Sequence, residues 1–405
     1  MRIGIDASPA SLRGSGTGRY AALLVRSLLD VDEEMNREEF RRYRIAPLPS
    51  RFPAWVLDAL TRLWHVARLL AEEARARVRL APGHRWRAWR HGFTAQSYVL
   101  YGLATRPVHD YLSDVARTRT HRINGPFNHL FRNKLVFGHV MERFGVPQAP
   151  AHALLHRGSV QPLDASPPSD QPAAWLRELL DREGRLVLKP AFGGMGTGLL
   201  FLDSRDGEVT VNGVDSSLDA ACELIDPLEP YLVAGFVEQG AYAARVYART
   251  TNTIRLLTLW DDVTGAPFVA AAAHRFGTAR SFPVDNFHAG WGGLSARLDV
   301  ETGELGAAIT LSTDGRVCGY EQHPESGAPI RGVRVPFWSD TVAVILRAAT
   351  HLAYAPAIGW DLVITDRGGC CLEANSPPGP AVWQVHQPLL ADARVRRFYE
   401  RHRII

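Results

Sequence analysis

Lysine is nearly absent from this chain. Of the 46 basic residues among 405, only Lys134 and Lys189 are lysines, which leaves 44 arginines. Arginine serves wherever a generic cation would do, so the two retained ammonium groups point to a task a planar guanidinium does less well, such as reaching a single phosphate oxygen. Cysteine is scarce too: Cys222, Cys318, Cys370 and Cys371, two of them adjacent and none in a C-x-x-C pair. That set fits neither a disulfide framework nor a zinc cluster and predicts a reducing, cytoplasmic setting. No stretch approaches roughly 18 uncharged apolar residues, and MRIGIDASPA lacks an apolar leader core, so neither a membrane span nor export is expected. The net charge of +4 is too small to predict a nucleic-acid partner. With 46% hydrophobic and 22% charged residues the chain is neither disordered nor fibrous, and it is long enough for two or three packed units.

The pattern along the chain changes character twice. Residues 1–30 read as a strand (Arg2 to Asp6), a glycine-rich turn (Gly14 to Gly18) and a helix (Tyr20 to Leu29), and residues 31–50 as a proline-punctuated linker. This opening resembles that of doubly wound nucleotide-sugar glycosyltransferases, although its glycines do not complete G-x-G-x-x-G. From Ala54 to about Arg79, Trp55, Leu57, Leu60, Leu63, Trp64, Ala67 and Leu70 recur at helical spacing between arginines. Such a basic helix either packs on its own domain or docks on a membrane surface or partner. Further helices are predicted over Tyr98 to Arg117 and Phe131 to Phe144, with a polar loop at 158–173. Strands follow: Arg185 to Lys189, Leu199 to Asp203, Val209 to Asn212, Tyr231 to Glu238, Thr253 to Trp260 and Phe268 to His274. A helix from Trp338 to Tyr354 precedes the last pair, Trp360 to Thr365 and Cys370 to Ala374. Hairpin turns between strands, with helices grouped among them, predict an α+β fold with antiparallel sheets.

Two segments carry chemistry. In RLVLKPAFGGMGTGLLFLD a lysine ends an apolar strand and a glycine loop follows, whose amides could line up on phosphate oxygens. A Walker loop places the lysine after the glycines, and no H-R-D or D-F-G follows, so neither a P-loop enzyme nor a protein kinase is indicated. In GWDLVITDRGGCCLEANSPPG, a turn at Asp366 to Gly369 sets Asp361 opposite, or within one residue of, Glu373. Facing side chains in an antiparallel pair lie about 4.5 to 5.5 Å apart at Cβ. Glu373 and Asn375, two apart, share a face. Two carboxylates and an amide oxygen suit a hard cation of the kind Mg²⁺ is when it is shared with substrate phosphates.

Together, a lysine in an early helix before GVP, a strand lysine before a glycine loop, and a late Asp361 with Glu373-x-Asn375 resemble the markers of the ATP-grasp superfamily. The chain is most similar to its sugar-transfer-associated group, related to α-L-glutamate ligases, through HGF (His91 to Phe93), ING (Ile123 to Gly125), Asn133-Lys134, NTIR (Asn252 to Arg255), HRFG (His274 to Gly277), VDNF (Val284 to Phe287) and EANSPPG (Glu373 to Gly379), over roughly residues 85 to 390. The resemblance implies an ATP-grasp fold of two α+β lobes clamping ATP, after a mainly helical region. The implied boundaries are 1–50 and 51–130 for the N-terminal parts, 131–235 and 236–392 for the lobes, and 393–405 for a tail. It implies that Lys134 and Lys189 hold ATP phosphates, that Gly193, Gly194, Met195, Gly196, Thr197 and Gly198 close over them, and that Leu232, Val233, Ala234, Gly235 and Phe236 offer backbone to adenine. Ala234 and Gly235 replace the polar pair many relatives carry there. Glu238 would contact the ribose, Arg255 the transferred phosphoryl or a substrate carboxylate, and Asp361, Glu373 and Asn375 would bind Mg²⁺. Asn252, His274, Arg275, Asp285 and Asn286 would form the substrate region. There Arg275 would bind a carboxylate and Asp285 or Asn286 would orient an amine or a sugar hydroxyl, unless Arg275 and Asp285 form a structural ion pair.

The implied activity is an ATP-dependent carboxylate-amine ligase working through an acyl phosphate, on small-molecule carboxylates and amines that are sugar-linked or amino acids. Such chemistry needs positioning and charge neutralisation more than a protein nucleophile. Two other readings remain open: a small-molecule or sugar kinase, and a non-catalytic ATP-binding scaffold that docks on a membrane or glycosyltransferase through its basic N-terminal helices.

Overall fold

The computed structural model describes residues 69–70, 72–74, 78–193, 198–205, 207–225, 230–287 and 292–405. The expected opening strand, turn and helix, the linker, most of the helix expected from Ala54 to about Arg79, and Gly194 to Thr197 lie outside the described residues.

Two seven-stranded sheets organise the chain, each of them antiparallel throughout. The first contains β1 (Ala151–His156), β2 (Ser159–Pro162), β3 (Arg185–Pro190), β4 (Leu200–Arg205), β5 (Glu208–Val211), β6 (Val214–Ser216) and β7 (Tyr231–Gly235), in the order β2-β1-β7-β3-β4-β5-β6. The second contains β8 (Ile254–Asp261), β9 (Ala266–Phe276), β10 (Leu294–Leu298), β11 (Leu305–Leu311), β12 (Val317–Tyr320), β13 (Ala357–Thr365) and β14 (Gly368–Asn375), in the order β12-β11-β10-β9-β8-β13-β14. The architecture is the α+β class that the turn pattern predicts.

Helices seal each sheet by the usual spacing of apolar residues. Leu176, Leu179 and Leu180 of helix Pro172–Glu183 bury against Leu186, Leu188 and Val233 of the first sheet. Burying each such side chain stabilises by about 1.5 to 3 kcal/mol. Trp338, Thr341, Ile345 and Ala348 make the inward stripe of helix Trp338–His351 on the second. At Gly369 a Cβ would stand 2.4 Å from Thr341 Cγ2, so this helix seats on the β13–β14 hairpin only because the residue is glycine.

Several boundaries differ from the sequence pattern. The predicted helix Tyr98 to Arg117 is two helices, Ala95–Leu100 and Asp114–Arg119, because Gly102 takes φ +67° and Pro107 cannot continue a helical ladder. The predicted Phe131 to Phe144 helix is divided at Asn133, whose side chain accepts from Leu135 N and Val136 N at 3.1 Å and starts a new helix, Lys134–Arg143. Part of the polar segment 158–173 is β2, paired with β1 across the Arg157-Gly158 turn, where both residues have positive φ. The strand expected to run to Glu238 ends at Gly235.

The helical segment before Lys134 is fastened to the second sheet. Asn124 donates from Nδ2 to Ala357 O at 2.7 Å and accepts at Oδ1 from Ala357 N at 3.1 Å, so its amide extends the ladder at the start of β13. Gln384 does the same for Leu112, accepting from its N–H at 2.7 Å and donating to its carbonyl at 3.0 Å. No helix among the described residues is long and apolar enough to cross a membrane.

Candidate active site

Both lysines reach one cavity, of about 1270 Å³, lying between the two sheets. Asn133 places Lys134 at the first position of its helix, and the Lys134 N–H donates to Ala191 O at 2.9 Å, just beyond β3. The Lys134 ammonium donates to Gly193 O at 2.9 Å, at the mouth of the glycine loop. Lys189 enters from β3, opposite Leu232 of β7. Burial lowers the pKa of both amines and the Glu373 carboxylate opposes that shift, so each ammonium would gain from an anionic ligand.

The expected carboxylate pair is present in register: Asp361 on β13 faces Glu373 on β14, and Arg255 on β8 faces Asp361 from the other side. A single row across three strands therefore reads Arg255, Asp361, Glu373. Arg255 grips Asp361 with two parallel bonds, Nε to Oδ1 and a terminal nitrogen to Oδ2 at 2.7 Å. Arg275 reaches the same Asp361 at 3.4 Å, and Asn375 Nδ2 donates to Asp361 Oδ2 at 3.0 Å. Burial acts to raise the Asp361 pKa, but Arg255 and then Arg275 overcome it and hold the carboxyl below its usual range. Glu373 goes the other way, pushed up by burial and by the Asp361 charge.

The donor chemistry fits a hard cation at Glu373 and Asn375. Glu373 has no ion-pair partner among the described residues, and a cation would relieve the repulsion that raises its pKa. Asp361 differs from expectation, because both of its oxygens are held by Arg255 and it is not an open ligand. No group of three His, Cys, Asp or Glu among the described residues could hold a metal ion, so a cation here would need oxygens from a bound phosphate.

Arg275 and Asp285 form the ion pair offered as the alternative to a substrate role, at 3.4 Å. Thr253 completes it: its hydroxyl accepts from Arg275 Nε at 3.0 Å and donates to Asp285 Oδ2 at 2.6 Å, while its N–H donates to the same oxygen at 2.7 Å. Arg275, Asp285, Asn286 and Thr253 all line the cavity. Thr253 lies inside NTIR, yet a threonine between an asparagine and an isoleucine carries no signal of its role.

Seven expected contacts among the described residues are not on the cavity wall: Gly193, Gly198, Leu232, Val233, Glu238, Asn252 and His274. Asn252 is 1% exposed and its amide is used up on Gln239, Tyr247 O and Gly277 N. His274 is fully buried: its Nδ1 donates to Arg275 O at 3.0 Å, its Nε2 accepts from Tyr242 Oη at 2.8 Å, and burial takes its pKa down to about 3. Both are structural, as a buried polar group with every partner satisfied has nothing left for a ligand. Leu232 and Val233 belong to the core, with their strand flanked on both sides by β1 and β3, and the wall begins at Ala234, Gly235, Phe236 and Val237. Backbone for adenine is therefore free of the ladder only past Gly235. Glu238 is exposed and pairs with Arg185 at 2.9 Å, while Arg185 stacks 3.6 Å over Phe236. Val187, Leu199 and Phe201 line the same apolar end, a contribution that the sequence pattern does not single out.

Residues 121–396 match the family model described as sugar-transfer associated ATP-grasp. No curated protein matches the chain. Among solved structures, the ADP complex of purK, an N5-carboxyaminoimidazole ribonucleotide synthetase, is 15% identical with a TM-score of 0.36, over 64% of this chain and 51% of that one. The VanG D-Ala:D-Ser ligase from Enterococcus faecalis is 11% identical with a TM-score of 0.38, over 67% and 62%. D-alanyl-alanine synthetase A from Vibrio cholerae is 11% identical with a TM-score of 0.40, over 68% and 67%. The chain thus spans between about half and two thirds of the length of these solved chains.

Proposed function

The chain belongs to the sugar-transfer-associated ATP-grasp family, and from that premise we propose that it is an ATP- and Mg²⁺-dependent ligase joining a small carboxylate to an amine. The observation that carries the reading is that the only two lysines of the sequence line one cavity, together with Glu373 and Asn375. The two lobes of this reading are residues 131–235 and 236–392.

In the reaction, a substrate carboxylate oxygen attacks the γ-phosphorus of ATP and ADP leaves. The amine then attacks the acyl phosphate carbonyl, phosphate leaves, and the nitrogen gives up a proton as the amide forms. Lys134 and Lys189 hold the nucleotide phosphates as compact charges in a desolvated cleft, where each contact is worth more than in water. A Mg²⁺ ion held by Glu373 and Asn375 would neutralise phosphate charge. Asp361 orients Arg255 toward the cleft, and Asp285 with Thr253 orients Arg275, so the guanidiniums sit fixed before substrate arrives. Phe236 and Val237, beyond the β7 ladder, offer backbone to the adenine edge. The four cysteines, all unpaired, accord with the reducing cytoplasm assigned to the enzyme.

The test is a mass-spectrometric screen with ATP, Mg²⁺, hydroxylamine and a pool of amino acids, uronic acids and other small carboxylates. Hydroxylamine traps acyl phosphates, so a hydroxamate with phosphate release identifies the carboxylate. A stable phosphoester without hydroxamate replaces the ligase by a kinase, and ATP binding with no turnover under any condition replaces it by a scaffold.

A further inference from the structure

Part of the wall of the cavity that holds the two lysines precedes the family-matched segment. Thr94, Gln96, Ser97, Leu100 and Tyr101 on and around helix Ala95–Leu100 form that part, and helix Asn128–Arg132 forms the side nearer Lys134. A pocket for one small molecule typically measures about 300 to 1,000 Å³. At about 1270 Å³ the cavity has room for a second reactant beside a nucleotide.

The charges on the cavity wall are not balanced. Of the carboxylates on the cavity wall, Asp361 is taken by Arg255, Asp285 by Arg275 and Thr253, Asp114 by Thr94 and Ser97, and Glu72 lies 3.4 Å from Arg117. Glu373 faces the two lysines. Arg132 is exposed on the cavity wall with no carboxylate partner among the described residues, and His129 is exposed one helical turn before it. Their helix is held in place: Asn128 donates to His121 O at 2.7 Å and Gly125 O at 2.6 Å, and accepts at Oδ1 from Ser376 Oγ at 2.6 Å, just after β14. A guanidinium carried on a held helix, one turn from an imidazole, matches the fork of a phosphate group better than a single carboxylate, since phosphate offers several oxygens and up to two charges.

We propose that this part of the cavity binds the phosphate or diphosphate group of the second reactant, with Arg132 as the main contact and His129 as a second. The molecule joined in the reaction is then a phosphorylated small molecule and not a free amino acid. The proposal rests on the ligase reading of the same cavity.

The experiment saturates the full chain with Mg²⁺ and a non-hydrolysable ATP analogue and titrates in inorganic pyrophosphate, then inorganic phosphate, by calorimetry. Pyrophosphate is expected to bind the saturated protein, and Arg132→Gln to weaken it by about tenfold while the analogue keeps its affinity. His129→Gln weakens the same binding by a smaller factor, and Arg132→Lys retains part of it. Tighter pyrophosphate than phosphate marks a diphosphate-linked reactant, and equal binding a monoester. Absence of pyrophosphate binding to the saturated protein overturns the proposal. So does an equal loss of analogue and pyrophosphate affinity in Arg132→Gln, which would assign the residue to the nucleotide. If the analogue fails to bind the wild-type protein while pyrophosphate binds through Arg132, the ligase reading falls and the anion site stands.

Discussion

Replacing Asp361 by asparagine keeps the side-chain shape and removes the charge on which two buried guanidiniums converge. Asp361 is 3% exposed, is gripped twice by Arg255, and lies 3.4 Å from Arg275. Breaking a buried ion pair by deleting one partner costs about 3 to 5 kcal/mol, because the other charge stays buried and unmatched. Arg275 keeps Asp285, so the loss falls mainly on Arg255, whose side chain is 14% exposed. The lower end, about 3 kcal/mol, is therefore expected for Asp361→Asn. The double variant Asp361→Asn/Arg255→Gln removes both charges, and it should be more stable than Asp361→Asn alone, with a coupling of about 2 kcal/mol relative to the sum of the singles. Urea unfolding measures this: with a slope of about 3 kcal/mol per molar, the single variant moves the midpoint down by about 1 M. A midpoint shift of less than about a third of that, or a double variant whose cost equals the sum of the singles, would refute the argument that this row of charges is held together by Asp361.

Three further outcomes follow from the same geometry. Lys189→Met should weaken ATP binding by about 1.5 to 3 kcal/mol, roughly 10- to 150-fold, and abolish turnover; normal steady-state turnover would remove Lys189 from the site. Glu373→Ala should lose the Mg²⁺ dependence of ATP turnover, and a titration curve that matches the wild type would count against a cation at Glu373 and Asn375. His274 has a folded pKa of about 3 against an ordinary 6.5, so the unfolded chain takes up a proton that the folded one refuses between those values. Its contribution to stability is complete above about pH 6.5 and is lost as pH falls toward 3, at up to about 1.4 kcal/mol per pH unit, and unfolding midpoints of His274→Gln should show a shallower acid slope than wild type.

What the sequence conveys and what it hides divide along physical lines. The facing of Asp361 and Glu373 follows from counting outward from a glycine turn, because strand pairing is set by local chain geometry. The two lysines stand out because arginine fills every other basic position. That same abundance hides Arg132, which looks like one more surface arginine until the cavity wall is seen. Asn252 and His274 mislead for the opposite reason. Polar residues in a motif look like ligands, and only the folded structure shows that neighbouring carbonyls, amides and a tyrosine hydroxyl already use their bonding capacity. β1 and β2 are missed because their turn is Arg-Gly and proline flanks both strands, so the usual hairpin residues are missing while the positive-φ geometry is still met. The strands β10 to β12 alternate weakly, and Ala296 and Ala308, which pair with each other, become core only through the cluster they share with residues as distant as Phe131 and Trp360.

Asn124 and Gln384 each act as a clasp, with one amide side chain holding both the donor and the acceptor of a distant backbone residue. Clasps of this kind join the helical wall to the second sheet as a single jaw. The first sheet meets the segment that carries Lys134 through the Lys134 N–H to Ala191 O bond. The cavity wall around helix Ala95–Leu100 belongs to that jaw, since Tyr98, Leu100 and Tyr101 pack in one cluster with Leu311 of β11. Lys189 stands on the other sheet, so on the ligase reading substitutions around Gln96 should change the affinity for the second reactant and leave that for ATP.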